Sequence, residues 1–376
     1  MIPEIKVLYV LYRNSMVGTI QKDGSTGACV FEYDKEWLAD GFSISPTELP
    51  LKSGLFVGDP EKFGGGFAVF EDSMPDGYGL FLLDRILKKQ GSSLKELSVP
   101  QILSIIGTAG MGALMYVPEM PGVGRQKEVG DPEALELLQS EALKVLSEKG
   151  EGDEALLYYN SANSGGARPK VVARRADGTH WIVKFRHVYD SESIGREEYL
   201  YMQTAGECGI TIPRIELIND KYFAIERFDI DRNGERIHTL TASALLKTDF
   251  KNQSADYTNL LALTGFLTQD PVQVEEMFRR MVFNIVAINK DDHAKNFSFQ
   301  CIEGKWSLAP AYDITYSPQG TNGEHATSVF YHGDPSLEDV LKAGTEIRIP
   351  KARCLEIISK IEDICSLRLP LIHKLS

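Results

Sequence analysis

Apolar and polar residues alternate along Ile5-Lys6-Val7-Leu8-Tyr9-Val10-Leu11-Tyr12 and again along Ala28-Cys29-Val30-Phe31-Glu32-Tyr33. That period of two is the mark of half-buried strands. Lys22-Asp23-Gly24-Ser25-Thr26-Gly27 lies between them and reads as a turn, so a small sheet is expected at the amino terminus. Over residues 78–89 the period becomes helical, with Phe81, Leu82, Ile86 and Leu87 on the apolar side. Residues 118–131 are dense in turn formers and read as a linker. A helix over 132–149 follows, repeating Leu135, Leu138, Ala142, Val145 and Leu146, with Asp131 as N-cap and Pro132 at the first helical position.

Beyond Tyr158 the texture changes. Residues 170–175 and 181–185 predict two strands joined by the turn 176–179, and a helix is expected over 193–208 with Gly209 suited to its carboxyl-terminal cap. A short apolar strand spans 222–228. From Pro271 to Asn289 a full core stripe (Val274, Met277, Phe278, Met281, Val282, Ile285, Ile288) predicts a buried helix. A hairpin is expected over 296–308 around Glu303-Gly304-Lys305, and residues 352–367 form an amphipathic tail helix. There are no internal repeats and no low-complexity tract.

Length and composition then narrow the function. A chain of 376 residues predicts two to three domains. With 43% hydrophobic and 25% charged residues it has the composition of a globular protein, which excludes a disordered or fibrous one. No apolar run reaches the ~18 residues of a membrane span, and no secretory signal is visible at the amino terminus. The five cysteines are scattered and form no CxxC, the usage of a reduced, cytoplasmic protein. A net charge of −13 repels phosphate backbones and makes nucleic acid a poor direct ligand.

The strongest chemical signal is Asn289-Lys290-Asp291-Asp292-His293-Ala294-Lys295-Asn296. Asp291 and Asn296 have the D-x-x-x-x-N spacing of a kinase catalytic loop. In that chemistry one carboxylate orients a hydroxyl and accepts its proton, while a nearby neutral oxygen holds Mg²⁺ against the phosphates. Asp313, in Pro310-Ala311-Tyr312-Asp313, follows the predicted hairpin, where a second metal-binding carboxylate belongs. A capped helix end followed by a polar loop is the bland alternative; the position after a helix, before a hairpin and ahead of a second Asp favours the kinase reading.

Upstream, Ser161-Ala162-Asn163-Ser164-Gly165-Gly166-Ala167-Arg168-Pro169-Lys170 joins small residues to a strand, as a loop covering phosphates does. Arg168, Lys170, Arg174, Arg175, Lys184 and Arg186 stand against Asp177 alone, a local charge of +5 inside a chain of −13. That suggests an anionic ligand, with a solvated hairpin face as the duller explanation. Lys184 alternates with Val183 and Phe185 and so points to the opposite face; Glu198 is its natural partner, with Glu197 competing. Glu226, Arg227, Phe228 and Asp229 end a buried strand where kinase lobes join. Gly64-Gly65-Gly66 and Gly107 to Gly112 read as turns, because neither clearly follows a strand and opens a helix. No zinc spacing and no Gly-x-Ser-x-Gly elbow is present.

Taken together, these residues resemble the HipA family, the kinase toxins of bacterial type II toxin–antitoxin systems. The resemblance is carried by Val17-Gly18-Thr19, the stretch from Ser45-Pro46 to Pro50-Leu51, Met74-Pro75-Asp76-Gly77-Tyr78-Gly79, Gly112-Ala113-Leu114, Gly166-Ala167-Arg168-Pro169-Lys170, Ile225-Glu226-Arg227-Phe228-Asp229, Asp291 to Asn296, and Pro310-Ala311-Tyr312-Asp313. It implies an α+β, bilobal protein-kinase-like fold with a small β-rich cap subdomain. The expected division is a HipA amino-terminal subdomain over 1–117, a linker and helix over 118–154, a kinase N-lobe-like region over 155–230, and a helical C-lobe-like region over 231–376.

The resemblance further implies ATP and Mg²⁺ as cofactors and phosphorylation of serine or threonine on a protein, such as an aminoacyl-tRNA synthetase. It also implies a HipB-like helix-turn-helix antitoxin, through which alone DNA is met. Asp291 would be the catalytic base, and Asn296 and Asp313 the metal ligands. Ser164, Gly165, Gly166, Lys184, Glu226, Phe228, His293 and Asn296 would contact ATP. Relatives silence themselves by phosphorylating a serine three residues before the glycine matching Gly166; Asn163 stands there in this chain, which leaves Ser161 and Ser164 as the candidates. A small-molecule kinase of the aminoglycoside-phosphotransferase type and a weakly active co-repressor are the competing readings.

Overall fold

The computed structural model describes residues 2–120, 132–147, 152–161, 166–248 and 255–375. The chain falls into two compact units, Met1–Glu192 with Ala224–Thr239, and Ser193–Phe223 with Leu240–Ser376.

The first unit begins with β1 (Val7–Tyr12), β2 (Ser15–Lys22) and β3 (Cys29–Tyr33), then α1 (Lys35–Asp40) and β4 (Leu55–Val57). The helices α2 (Ala68–Glu71), α3 (Gly77–Lys89) and α4 (Val99–Ile106) precede β5 (Leu114–Val117). The five strands form an antiparallel sheet in the order β4-β3-β2-β1-β5. One face of it is the core: Leu8, Val10, Val17, Ile20 and Phe31 are fully buried, the alternation expected of a sheet covered on one side.

Strand β2 corrects the sequence reading, which placed strands only on either side of it. Its pattern is interrupted by Gly18, and glycine within a strand weakens the signal. The structure shows why glycine stands there: a Cβ at Gly18 would lie 2.2 Å from the Glu32 carbonyl oxygen.

On α3 the buried residues are Tyr78, Gly79, Leu82, Leu83 and Leu87, whereas Phe81, expected inside, is exposed. The Gly107 to Gly112 segment is a turn, as read: it follows a helix and opens a strand, the reverse of a nucleotide loop. Helix α5 (Pro132–Leu146) buries Leu135, Leu138, Ala142 and Val145; its expected N-cap Asp131 lies outside the described residues. Helix α6 (Glu154–Ser161) leads to the glycine loop. Strands β6 (Lys170–Arg174) and β7 (His180–Lys184) then form the predicted hairpin, with Lys170 opposite Lys184 and Arg174 opposite His180.

The second unit opens with α7 (Ile194–Glu207), which ends at Gly209, in the left-handed conformation (φ +85°) that glycine adopts without strain. The chain continues through β8 (Ile215–Ile218) and β9 (Tyr222–Glu226), crossing into the first unit at Ala224 and returning through β10 (His238–Thr241). The helices α8 (Ala242–Leu246), α9 (Tyr257–Thr268) and α10 (Pro271–Val286) follow, with β11 (Ala255–Asp256) ahead of α9. Helix α10 is the buried spine, with Met277, Phe278, Met281, Val282, Phe283 and Val286 all fully enclosed. Strands β12 (Ser298–Ile302) and β13 (Lys305–Leu308) form the expected hairpin, turning through Glu303 and Gly304 at positive φ, as tight hairpins require. Strand β14 (Thr327–Ser328) pairs in parallel with β11, and α11 (Leu337–Glu346) and α12 (Lys351–Arg368) complete the unit.

Candidate active site

The loop that follows α10 is built by terminating the helix abruptly. Ile288 takes a left-handed φ of +56°, a strained conformation for a β-branched residue, of the kind that clusters at functional sites. Surrounding bonds hold it: Asn289 N–H donates to the Asn284 carbonyl at 2.9 Å, Ser317 N–H to the Ile288 carbonyl at 3.0 Å, and Lys290 N–H to the Ser317 carbonyl at 3.0 Å.

The two adjacent carboxylates of this loop have opposite surroundings. Asp292 is 0% exposed. It accepts from Tyr257 Oη at 2.7 Å and from Thr327 N–H at 3.2 Å, and lies 2.9 Å from His325 Nδ1, while its own carbonyl accepts from the Thr327 hydroxyl. Tyr257 Oη in turn accepts from Asn284 Nδ2 at 2.9 Å, and Asn284 Oδ1 accepts from Asn289 Nδ2 at 3.0 Å. A buried polar chain therefore runs from the end of α10 through α9 to β14, with the loop fastened along it. Breaking it should be felt: Tyr257→Phe removes a donor to a buried carboxylate and the acceptor of Asn284, and is expected to destabilise the fold by about 1–3 kcal/mol. Urea unfolding of the two proteins measures the difference, and equal midpoints and slopes would show that the chain does not anchor the loop.

Asp291, by contrast, has a side chain 63% exposed, with His293 Nε2 at 3.9 Å. Its backbone carbonyl accepts from Asn296 Nδ2 at 2.7 Å. That bond commits the amide nitrogen to the loop and leaves Asn296 Oδ1 as the oxygen able to take a cation. Asn296 closes the 3₁₀ turn Ala294–Asn296. The Tyr312 ring reaches the same turn: its hydroxyl donates to the Lys295 carbonyl at 2.6 Å and lies 2.5 Å from Ser298 Oγ. Asp313 is the next residue, at φ +54°, and aspartate is among the few non-glycine residues that tolerate that region. Farther back, buried Arg280 donates to the Ala309 carbonyl at 2.8 Å, steadying the segment that leads to Asp313. The second unit thus brings together Asp291, His293 and Asn296, and ties the residue before Asp313 to the same turn. One amide oxygen and one carboxylate are hard donors that suit Mg²⁺, which usually takes one or two carboxylates and completes its shell with phosphate and water. Among the described residues no group of three or more His, Cys, Asp or Glu side chains is placed to hold a metal.

The first unit carries the other expected residues. Lys184 lies on the face of β7 opposite Val183 and Phe185, both of which are buried. Lys170 is its register partner, and Lys170 Nζ would lie 2.7 Å from a Cβ at Gly166, so two lysines stand beside the end of the glycine loop. As register partners the two side chains share one face of the hairpin.

The remaining basic residues are partly accounted for within the unit. Arg168 makes two bonds to Asp190, at 2.9 and 3.2 Å. Burial pushes the Asp190 carboxyl up, but the Arg168 bond, the His187 N–H and the positive charge beside it together outweigh burial and hold the group below the ordinary carboxylate value. Arg175 lies 4.0 Å over the Trp181 ring. The window from Arg168 to Arg186 stops four residues short of Asp190, so the count of +5 overstates the local field.

Glu226 ends β9, and the Arg227 N–H that follows donates to the His180 carbonyl at 2.8 Å. Glu226 and Phe228 therefore flank the end of β7 away from Lys184, ~13 Å along the strand. Arg227 and Asp229 form a buried ion pair at 2.7 Å. The Gly112 N–H donates to Asp229 at 3.3 Å, and Arg236 donates to the Gly110 carbonyl at 2.9 Å, so the Gly107 turn docks on the strand end. Glu198 is the buried one of the two candidate glutamates on α7. Ser164 and Gly165 lie outside the described residues. Ser161 is 1% exposed, and its hydroxyl donates to the Tyr158 carbonyl at 2.9 Å.

Two family models match the chain: the HipA N-terminal domain over residues 8–117 and the HipA-like C-terminal domain over residues 162–367. The serine/threonine-protein kinase toxin HipA of Shewanella oneidensis is 22% identical over 336 residues, covering 80% of this chain and 72% of its own. A chain of the solved complex of HipA, HipB and operator DNA from the same organism superposes with a TM-score of 0.70 at 18% identity, covering 98% of this chain and 92% of that one; at that identity the likeness is one of fold.

Proposed function

The chain belongs to the HipA family, and from that premise we propose that it is a Mg-ATP-dependent protein serine/threonine kinase, the toxin of a toxin–antitoxin pair. The observation that carries the reading is the loop after α10: an exposed carboxylate, Asp291, on a loop fastened by a fully buried one, Asp292, with Asn296 oriented by Asp291's own carbonyl.

In this reading Asp291 orients the serine or threonine hydroxyl of the substrate and accepts its proton. The hydroxyl oxygen forms a bond to the γ-phosphorus of ATP as the bond to the β-bridging oxygen breaks, and ADP leaves. Asn296 Oδ1 and the Asp313 carboxylate would hold magnesium, which when bound neutralises charge on the phosphate oxygens. Lys184 and Lys170 meet phosphates, and Glu226 and Phe228 line the adenine end; their ~13 Å separation along β7 is of the order of an extended nucleotide. His293 stands beside the nucleotide. Self-phosphorylation falls on Ser161 or Ser164. At Ser161 it requires the last turn of α6 to unwind, since that hydroxyl is buried and bonded within the helix.

A HipB-like helix-turn-helix partner is supported by the solved HipA complex with HipB and operator DNA; with it the reading takes DNA as met only through that partner, and a cytoplasmic protein such as an aminoacyl-tRNA synthetase as the target. No helix among the described residues is long and apolar enough to cross a membrane. Expression in a bacterium lacking the partner protein is expected to arrest growth, and Asp291→Asn to relieve the arrest. Normal growth at confirmed expression of the folded wild type would remove the toxin reading.

A further inference from the structure

Beyond that kinase reading, on which it rests, we propose that Asp76 is a positioning residue for the glycine loop: together with Tyr78 it grips Gly166 by both of its backbone groups and fixes the end of the loop for nucleotide binding. The Gly166 N–H donates to Asp76 Oδ1, and the Tyr78 N–H donates to the Gly166 carbonyl at 3.1 Å.

Asp76 stands at the N-cap position of α3, where a carboxylate ordinarily accepts an N–H of its own helix's first turn. It makes no such bond; its carboxylate is turned to a residue ninety positions away in sequence. Gly77, between the two gripping residues, has φ +41°, and a Cβ there would lie 2.6 Å from the Gly166 carbonyl oxygen. Only glycine allows so close an approach of the two backbones.

The helix that precedes the loop is tied to the same support. Glu154, at the start of α6 and 2% exposed, accepts from Arg85 Nε at 2.8 Å and from Lys89 Nζ at 2.5 Å. Helix α3 therefore acts as a splint: it holds α6 before the loop and Gly166 after it.

A loop that covers phosphates works by presenting backbone donors in a fixed arrangement, and a loop freed at one end must be ordered again on each binding event. The Met74 to Gly79 motif of the amino-terminal domain thereby acquires a role in the nucleotide step, with Asp76 acting through Gly166 and not on the nucleotide itself.

The test compares wild type with Asp76→Ala, Asp76→Asn and Gly77→Ala. Calorimetric titration with Mg²⁺ and a non-hydrolysable ATP analogue is paired with kcat, KM for ATP and thermal unfolding. Loss of a charge-assisted bond to the loop is expected to weaken nucleotide affinity and raise KM by about tenfold in Asp76→Ala, with kcat little changed. Asp76→Asn retains an acceptor oxygen and should recover most of that loss. Gly77→Ala pushes on Gly166 from the other side and should raise KM as Asp76→Ala does, which keeps the test open should Asp76→Ala fail to fold. Wild-type affinity and KM in Asp76→Ala or Gly77→Ala, with or without a lowered melting temperature, would overturn the inference alone. A folded wild type that binds no Mg-nucleotide would overturn the kinase reading itself.

Discussion

Replacing Asp291 by asparagine is expected to lower phosphate transfer by about 10²–10⁴-fold while leaving the fold and nucleotide affinity in place. The separation of effects follows from how the loop is built. The Asp291 side chain is mostly solvated, so the substitution takes little from the packed interior. It is the Asp291 carbonyl that orients Asn296, and asparagine keeps that carbonyl. The anchoring of the loop belongs to Asp292, through Tyr257, His325 and Thr327. What is lost is a carboxylate able to take a proton. Initial rates at saturating ATP, measured beside thermal unfolding and nucleotide titration, check the prediction; wild-type turnover in Asp291→Asn would take the catalytic role away from this residue.

Asp313→Ala should act on a different quantity, the affinity for Mg-ATP, lowering it by at least about 10–100-fold, since losing even an outer partner of a metal site has an effect of that size. Alanine at φ +54° also introduces backbone strain that aspartate tolerates. Asp313→Gly separates the two effects: it relieves the strain and still removes the ligand. Both variants are expected to lose Mg-dependent nucleotide binding, with the glycine variant the more stable of the two. If Asp313→Gly binds Mg-ATP as the wild type does, the carboxylate is not a metal ligand.

Much of this molecule is written locally. The hairpins β6–β7 and β12–β13, the buried stripe of α10 and the cap of α7 follow from periodicity and turn residues within a few positions of each other. The misses share a physical cause. β2 is masked by Gly18, whose reason for being there is the Glu32 carbonyl across the sheet. Phe81 fits a helical stripe yet faces outward, because the packed face of α3 runs through Leu83.

For the site, the D-x-x-x-x-N spacing pointed to Asp291 and Asn296. The support beneath them was not legible: Tyr257, His325 and Thr327 lie 33 to 35 residues from Asp292, and no local pattern marks them. Charge counting failed in the same way at Arg168, whose partner Asp190 stands just beyond the basic window. Asp76 is the extreme case. It stands at the N-cap position of α3 without capping it, and only the fold turns that carboxylate toward Gly166.

The central claim, transfer of phosphate from ATP to a protein hydroxyl, is tested most directly by incubating the purified chain with γ-labelled ATP, Mg²⁺ and a lysate of its own host, followed by mass spectrometry. The account predicts label on serine or threonine of a discrete protein, lost when Asp291→Asn replaces the wild type and when Mg²⁺ is chelated. Label confined to a small molecule, or no transfer by a folded wild type that binds Mg-ATP, would contradict it.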